Sequence, residues 1–157
     1  MPTSGESDKH HEQDTMRTPR LVRQVAAALA YYFPTPRPLP LGVAVSGGPD
    51  SVALLGALVT LARDQSLSPT VLHVNHRLRQ EADEEQRLVE TLCARWRLPC
   101  LVETLTPPAR LSGIEAWARA ERYRFFQTTC ENFGLPAVAL AHTLDDQAET
   151  VLFRLLR

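Results

Sequence analysis

Lysine is almost missing from this chain. Lys9 is the only one, so sixteen of the 17 basic residues are arginines. A Walker A phosphate loop ends in Gly-Lys-Ser or Gly-Lys-Thr, whereas Lys9 lies between Asp8 and His10. The sequence therefore excludes that class of nucleotide-binding protein, and it argues against a catalytic lysine that forms a Schiff base.

Cysteine, long apolar runs and net charge are scarce as well. The three cysteines, Cys93, Cys100 and Cys130, form no Cys-x-x-Cys pair, which argues against a disulfide framework, a zinc site and an iron–sulfur cluster. No apolar run reaches the ~18–20 residues of a membrane span, and the N-terminus lacks the apolar core of a signal peptide. We therefore expect a cytoplasmic protein with no membrane partner. The net charge of -1 predicts no general affinity for nucleic acid, so such contacts need a local patch.

The order of the remaining segments indicates an α/β fold. The 157 residues suffice for one domain, which we assign to residues 20–157 behind a disordered polar tail at residues 1–19. Helices are predicted over 21–32, 51–63, 81–97 and 113–133, and strands over 41–45, 70–75, 100–103 and 137–141. Strands that alternate with helices form a parallel sheet with helices on both faces. We therefore predict a doubly wound, Rossmann-like parallel sheet.

The last part of the chain is predicted to be one more helix, which begins at Asp145. Its apolar residues continue to the final residue, Arg157, with no glycine cap or breaker. This pattern predicts a sheet that is truncated before its last strand, and a chain that is the front part of a longer protein.

The first strand runs into a helix through the string Ser46-Gly47-Gly48-Pro49-Asp50-Ser51. Its two glycines let backbone N–H groups approach an anion closely, and Pro49 suits the first position of a helix. The helix N-terminus favours negative charge, which Asp50 would repel unless a divalent cation lay beside it. An ordinary tight turn with Ser and Asp caps is the alternative, but the complete string favours a phosphate loop.

Basic residues in two later segments are placed to meet a nucleotide. The second strand ends in Val74-Asn75-His76-Arg77-Leu78-Arg79, at the sheet edge where ligands bind; a solvated basic turn is the alternative. On the fourth predicted helix, Glu115, Arg119 and Arg122 fall within a wedge of roughly 60°. That strip suits phosphate binding, or an ordinary ion pair on a solvated face.

Carboxylates follow the fourth predicted strand. The chain passes through His142 into a helix whose first turns carry Asp145, Asp146 and Glu149. Asp146 and Glu149 are three residues apart on one face of that helix, a spacing that suits oxygen ligands of Mg²⁺. The alternative is that carboxylates simply favour a helix N-terminus. If the first and fourth strands are neighbours, Asp50 and Asp146 converge across one crevice.

Together the strings SGGPDS, VNHRLR, GIEAWARAERY and AHTLDDQAET resemble the tRNA(Ile)-lysidine synthase family closely. They occur in that family's order and spacing over about residues 21–157, and the DDQAET string with its preceding histidine is the most specific of them. SGGPDS alone resembles the pyrophosphatase loop of the wider PP-loop ATP pyrophosphatases, which cleave ATP between the α and β phosphates. The resemblance implies an adenine nucleotide alpha hydrolase-like fold and a ligase that uses ATP and Mg²⁺. It also implies tRNA(Ile) with a CAU anticodon and L-lysine as partners, and it leaves a homodimer open.

The reaction that the resemblance implies has two steps. The O2 of the first anticodon cytidine attacks the α-phosphate of ATP, which releases pyrophosphate and leaves an adenylylated base. The amine of free lysine then displaces AMP and gives lysidine. By the same resemblance, the ATP-binding residues are Ser46, Gly47, Gly48, Pro49, Asp50, Ser51 and His76, the catalytic residues are Asp50, Asp146, Glu149, Arg119, Arg122 and His142, and the metal ligands are Asp50, Asp146 and Glu149.

Three alternatives stay open. Another PP-loop enzyme, which thiolates tRNA or forms an amide, would share the loop, although the paired cysteines usual in sulfur-inserting members are absent. An inactive ATP-binding fragment would share it too. An α/β-hydrolase would use Ser46 as a nucleophile, but it needs an acid and then a histidine downstream, and no histidine follows His142.

Overall fold

The structure, a computed structural model, describes residues 19–34, 38–64, 66–109, 112–144 and 148–154. Its helices are α1 (Arg20–Tyr32), α2 (Pro49–Leu61), α3 (Ala82–Trp96) and α4 (Ile114–Phe133), with a 3-10 turn at Ala62–Asp64. Its strands are β1 (Leu39–Ala44), β2 (Leu67–Asn75), β3 (Cys100–Thr104), β4 (Val138–Leu144) and β5 (Ala148–Arg154). The alternation predicted up to β4 is confirmed, with element ends that differ by a few residues. Apart from Pro19, the predicted tail lies outside the described residues.

The strands form one sheet in the order β3-β2-β1-β4-β5. β1 pairs in parallel with both β2 and β4, and β2 pairs in parallel with β3. The chain therefore builds outward from β1 to β3 and then crosses to the other side of β1. This reversal is the switch point of a doubly wound sheet, outside which ligands bind. The predicted neighbourhood of the first and fourth strands is confirmed.

Helices cover both faces of the sheet, as predicted. α1, α2 and α3 bury Val25, Leu55 and Val89 completely in one core. α4 covers the opposite face, where Phe126 and Cys130 pack in a second core. Because βαβ crossovers are right-handed, a reversal of strand order moves the connecting helix to the other face. Among the described helices, none is long and apolar enough to cross a bilayer.

The prediction of a helix from Asp145 is wrong. The segment Ala148–Arg154 is a strand, antiparallel to β4, with Leu152 opposite Leu140 and Thr150 opposite His142. Without this partner β4 would present a row of unpaired backbone groups, and the segment is rich in β-branched and aromatic residues, which favour strands. Glu149 therefore lies on a strand and not in the predicted helix, while Asp146 lies outside the described residues.

Candidate functional site

A cleft of about 340 Å³ opens where the strand order reverses, at the carboxyl ends of β1, β2 and β4. Its walls are partly apolar, with Leu72, Phe126 and Leu140 among them. Its polar lining comes from the loop after β1, the turn after β2, and helices α2, α3 and α4. The polar residues that line it are Ser46, Ser51, His76, Arg79, Glu85 and Arg122.

Ser46 and Ser51 organise the loop that enters the cleft from β1. Ser51 Oγ donates to the Gly48 carbonyl at 2.9 Å and accepts from Ser46 N at 3.2 Å. Ser46 Oγ accepts from Gly48 N at 3.3 Å. α2 begins at Pro49, with Asp50 exposed in its first turn. The two hydroxyls thus close the loop at the N-terminus of a 13-residue helix, whose dipole favours an anion.

Gly47 is required in this loop for two independent reasons. Its φ is +95°, a backbone conformation that L side chains rarely adopt. A Cβ atom there would also lie 3.1 Å from Cβ of Glu85 on α3. Gly48 has neither constraint, since its φ is -72° and the nearest atom to an added Cβ is Ser46 Oγ at 3.5 Å. Gly47 therefore sets the path of the loop against α3.

Three buried polar side-chain atoms without a protein partner lie at the cleft or beside it. Within the described part of the chain they are Nε of Arg122, Nδ1 of His76 and Nε2 of His73. Most buried polar side-chain atoms in proteins are hydrogen-bonded, so this group fits a polar ligand. Desolvation by burial, then the charge of Arg122 and then His73, lower the pKa of His76 from its usual value of 6.5. The imidazole is therefore neutral at pH 7, and the positive charge at this end of the cleft belongs to Arg122.

The lowered pKa of His76 predicts that acid destabilises the fold through this residue. The unfolded chain titrates near 6.5, so as the pH falls the unfolded state binds this proton before the folded state does. Stability from neutral His76 is complete above that pH and is lost as the pH falls through 6.5 toward the folded pKa. We expect His76→Gln to flatten the dependence of Tm on pH as the pH falls from about 7 through 6.5. Thermal denaturation followed by circular dichroism measures this, and parallel profiles for the two proteins would contradict it.

The turn that carries His76 is fixed by Asn75, a residue to which sequence reasoning gave no role. The Asn75 side chain is 1% exposed. Its amide donates to Asp83 Oδ1 at 2.8 Å and to Gln86 Oε1 at 2.9 Å, and its Oδ1 accepts from Arg77 N at 3.0 Å. Asn75 thereby ties the end of β2 to the start of α3. The sequence signal for it is a polar residue at the end of an apolar strand.

Arg79, one of the basic residues predicted to meet a nucleotide, lines the cleft, whereas Glu85 was missed as a lining residue. The Arg79 guanidinium contacts both carboxylate oxygens of Glu85, at 3.0 and 3.1 Å, across the mouth of the cleft. Glu85 also forms the surface against which Gly47 packs. No local pattern marks Glu85, because it is one of three acidic residues in the first turn of α3.

Arg119, His142 and Glu149 were also predicted as site residues, and none of them is among the described residues that line the cleft. Arg119 is exposed, and its guanidinium lies 5.6 Å from the centroid of the Tyr123 ring, outside the cleft lining. His142 lies on β4 just after the cleft residue Ala141, and Glu149 lies on β5 opposite Thr143.

The predicted magnesium site is only partly within the described residues. Asp146 lies outside them, and of Glu149 the backbone alone is described. In the part of the chain that the structure covers, no three His, Cys, Asp or Glu side chains gather as a metal site. The assignment of Asp50, Asp146 and Glu149 as metal ligands therefore stays a prediction.

Comparison with known proteins gives consistent matches. The PP-loop domain family matches residues 18–157. Over 119 residues the chain is 43% identical to the bifunctional protein TilS/HprT of Listeria monocytogenes. That alignment covers 73% of this chain and 18% of the Listeria protein. The chain is 41% identical to the tRNA(Ile)-lysidine synthase of Enterococcus faecalis and 47% identical to that of Geobacter sulfurreducens, each over 73% of this chain and 25% of the relative. The chain thus spans a quarter or less of these relatives.

A solved structure supports the fold. The U34-tRNA thiolase NcsA from Methanococcus maripaludis, determined with its [4Fe-4S] cluster, superimposes with a TM-score of 0.67. The match covers 80% of this chain and 46% of the thiolase, at 15% sequence identity. At that identity the likeness concerns the arrangement of helices and strands alone.

Proposed function

The chain belongs to the PP-loop domain family, and from that premise we propose that it acts in the ATP-dependent synthesis of lysidine on tRNA(Ile). The observation that carries the proposal is the convergence of the Ser46–Ser51 loop, His76 and Arg122 on one cleft at the switch point of the sheet. Relatives named tRNA(Ile)-lysidine synthase, at 41% and 47% identity, support the choice of reaction. The proposed substrates are ATP, L-lysine and a tRNA with a CAU anticodon, and the proposed place of action is the cytoplasm.

In the proposed complex the loop holds the β and γ phosphates of ATP. The backbone N–H groups of Gly47 and Gly48, the hydroxyls of Ser46 and Ser51, and the N-terminus of α2 would all face those anions. Arg122, on the opposite side of the cleft, would meet the α-phosphate. Negative charge grows on the phosphate oxygens as cytidine O2 attacks, and a preorganised guanidinium stabilises that charge. The pyrophosphate then leaves from the loop.

The proposal includes a magnesium ion that binds together with ATP. Asp50 fits, because an exposed carboxylate in the first turn of α2 would repel the phosphates unless a cation lay between them. Asp146 and Glu149 are the other proposed ligands. The ion would offset phosphate charge when it is bound. His142 and Arg119 complete the proposed catalytic set.

A radiolabel experiment tests the proposal. The chain is incubated with Mg²⁺, ATP labelled at the α-phosphate, and a tRNA(Ile) transcript with a CAU anticodon, with and without lysine. We expect label on the RNA without lysine, and its release as AMP when lysine is added.

Two other outcomes would point to other functions. Label transfer that does not depend on lysine but responds to a sulfur donor would favour tRNA thiolation. That alternative has less support, because no cysteine lines the cleft among the described residues. ATP binding with no transfer would indicate a nucleotide-binding domain without turnover.

Removal of either proposed metal carboxylate should stop the first step. We expect Asp50→Asn and Asp146→Asn each to lower formation of the adenylylated RNA by at least about 100-fold, because the metal neutralises charge in the transition state. Circular dichroism should show an unchanged fold. Glu131→Gln, an exposed carboxylate near the end of α4, is the matched control and should keep full activity. Full activity in Asp146→Asn would overturn its assignment.

A further inference from the structure

His73 makes a hydrogen bond to which the proposed chemistry gives no role. It lies near the carboxyl end of β2 with only 2% of its surface exposed. Its Nδ1 is 2.7 Å from the carbonyl oxygen of Val45, 28 residues away in the chain. A carbonyl oxygen only accepts, so Nδ1 carries the proton and donates. Val45 is the last residue before Ser46, so this bond lies at the entry to the phosphate loop.

The imidazole takes a place that a backbone group would normally fill. Val45 N still donates to the Leu72 carbonyl at 3.0 Å and so continues the parallel ladder of β1 and β2. The next bond of that ladder would run from Val74 N to the Val45 carbonyl, and it is not among the backbone hydrogen bonds of the described residues. The imidazole of His73 donates to the Val45 carbonyl in its place. The hydrogen bond from His73 thus lies at the point where the chain leaves the sheet.

The loop has few other external supports. Its own hydrogen bonds join Ser46, Gly48 and Ser51 to one another. From outside, Glu85 packs against Gly47, and His73 is the side chain that hydrogen-bonds to the loop's entry in the described part of the chain. The second ring nitrogen of His73 has no protein partner among the described residues. The residue also lines a pocket of about 90 Å³ that shares His76, Arg79 and Glu85 with the cleft.

We propose that His73 is a positioning residue, which holds the Val45 carbonyl and thereby the phosphate loop in its anion-binding conformation. This inference rests on the proposed function of the loop. His73 acts through Val45 and is not one of the residues that line the cleft. A side chain that keeps a donor at the Nδ1 position should therefore keep the loop's function, and one that only fills the volume should not.

Two substitutions of His73 separate positioning from packing. In His73→Asn the side-chain amide places a donor close to the position of Nδ1, whereas His73→Leu removes it and leaves a buried carbonyl unpaired. We expect His73→Leu to weaken binding of pyrophosphate and of ATP by on the order of 10-fold, and His73→Asn to weaken it by less than about 3-fold. Calorimetric titration measures both. Val25→Ala, a core truncation on α1, should lower Tm without changing affinity.

Hydrogen–deuterium exchange over residues 44–51 gives a second readout that needs no ligand. We expect faster exchange in His73→Leu than in wild type and His73→Asn. Equal affinity and equal exchange in wild type and His73→Leu would overturn the inference while leaving the proposed function intact. Loss of affinity to the same extent in the Leu and Asn variants would overturn it too, because packing alone would then explain the effect. A wild-type chain that binds neither ATP nor pyrophosphate would overturn the proposed function, and the exchange data would still decide whether His73 orders the loop.

Discussion

Replacement of Arg122 with glutamine is expected to lower adenylylation of tRNA by on the order of 100- to 1,000-fold, the usual cost of losing one preorganised donor at a developing charge. Arg122 lines the cleft from α4, and its Nε is buried without a partner among the described residues. Because the charge it would meet grows during the reaction, the loss should fall mainly on kcat and less on KM for ATP. Single-turnover transfer of label from ATP to RNA measures the effect.

Arg124 provides a matched control two residues further along the same helix. Its guanidinium is exposed and pairs with Glu121 at 2.6 Å and with Glu103 at 3.5 Å. Arg124→Gln should therefore retain the activity of the wild type. Arg122→Lys keeps the charge but not the planar fork of donors, and it should recover only part of the loss. Equal rates for Arg122→Gln and Arg124→Gln would remove Arg122 from the catalytic set.

The contrast between Arg119 and Arg122 shows what helical periodicity can predict. The pattern placed both arginines on one strip of the helix, and the helix exists. The structure brings only Arg122 into the cleft, while Arg119 is exposed and packs over Tyr123. A helical wheel gives the angle of each side chain about the axis. Which part of the helix stands over the sheet edge depends on packing against the sheet.

Most of the fold was predictable because its signals are local. Proline and glycine breakers, short apolar runs and the Gly-Pro junction at the start of α2 mark the elements within a few residues. β5 was missed because its partner is β4: the choice between helix and strand for Ala148–Arg154 was decided by pairing across the sheet, which periodicity does not encode. Contacts between residues far apart in the chain were also missed, because local periodicity does not encode them. Examples are His73 with Val45, and Glu85 with Gly47.

Substitution of Gly47 by alanine is expected to impair both the loop and the fold. The backbone at Gly47 has φ +95°, and the added Cβ would lie 3.1 Å from Cβ of Glu85, which belongs to the stem of a side chain anchored on α3 and cannot swing away. Strained backbone of this kind costs about 1–3 kcal/mol. If the loop relieves the strain by moving, its N–H groups no longer converge on the phosphates. We expect the free energy of unfolding to fall by that amount and the affinity for pyrophosphate to fall at least about 10-fold. Urea denaturation and calorimetric titration measure the two effects.

The same methyl group added nine residues later should have the opposite effect on stability. Gly56 lies inside α2, and apart from its chain neighbours and the adjacent helix backbone nothing lies within 4 Å of a Cβ built there. Gly56→Ala should therefore stabilise the chain by roughly 0.5–1 kcal/mol, because alanine loses less backbone entropy in a helix than glycine. Affinity for pyrophosphate should not change, since Gly56 is remote from the loop. If Gly47→Ala also stabilised the chain and bound pyrophosphate normally, the path of the loop against Glu85 would be incorrect, and with it the geometry on which the phosphate site depends.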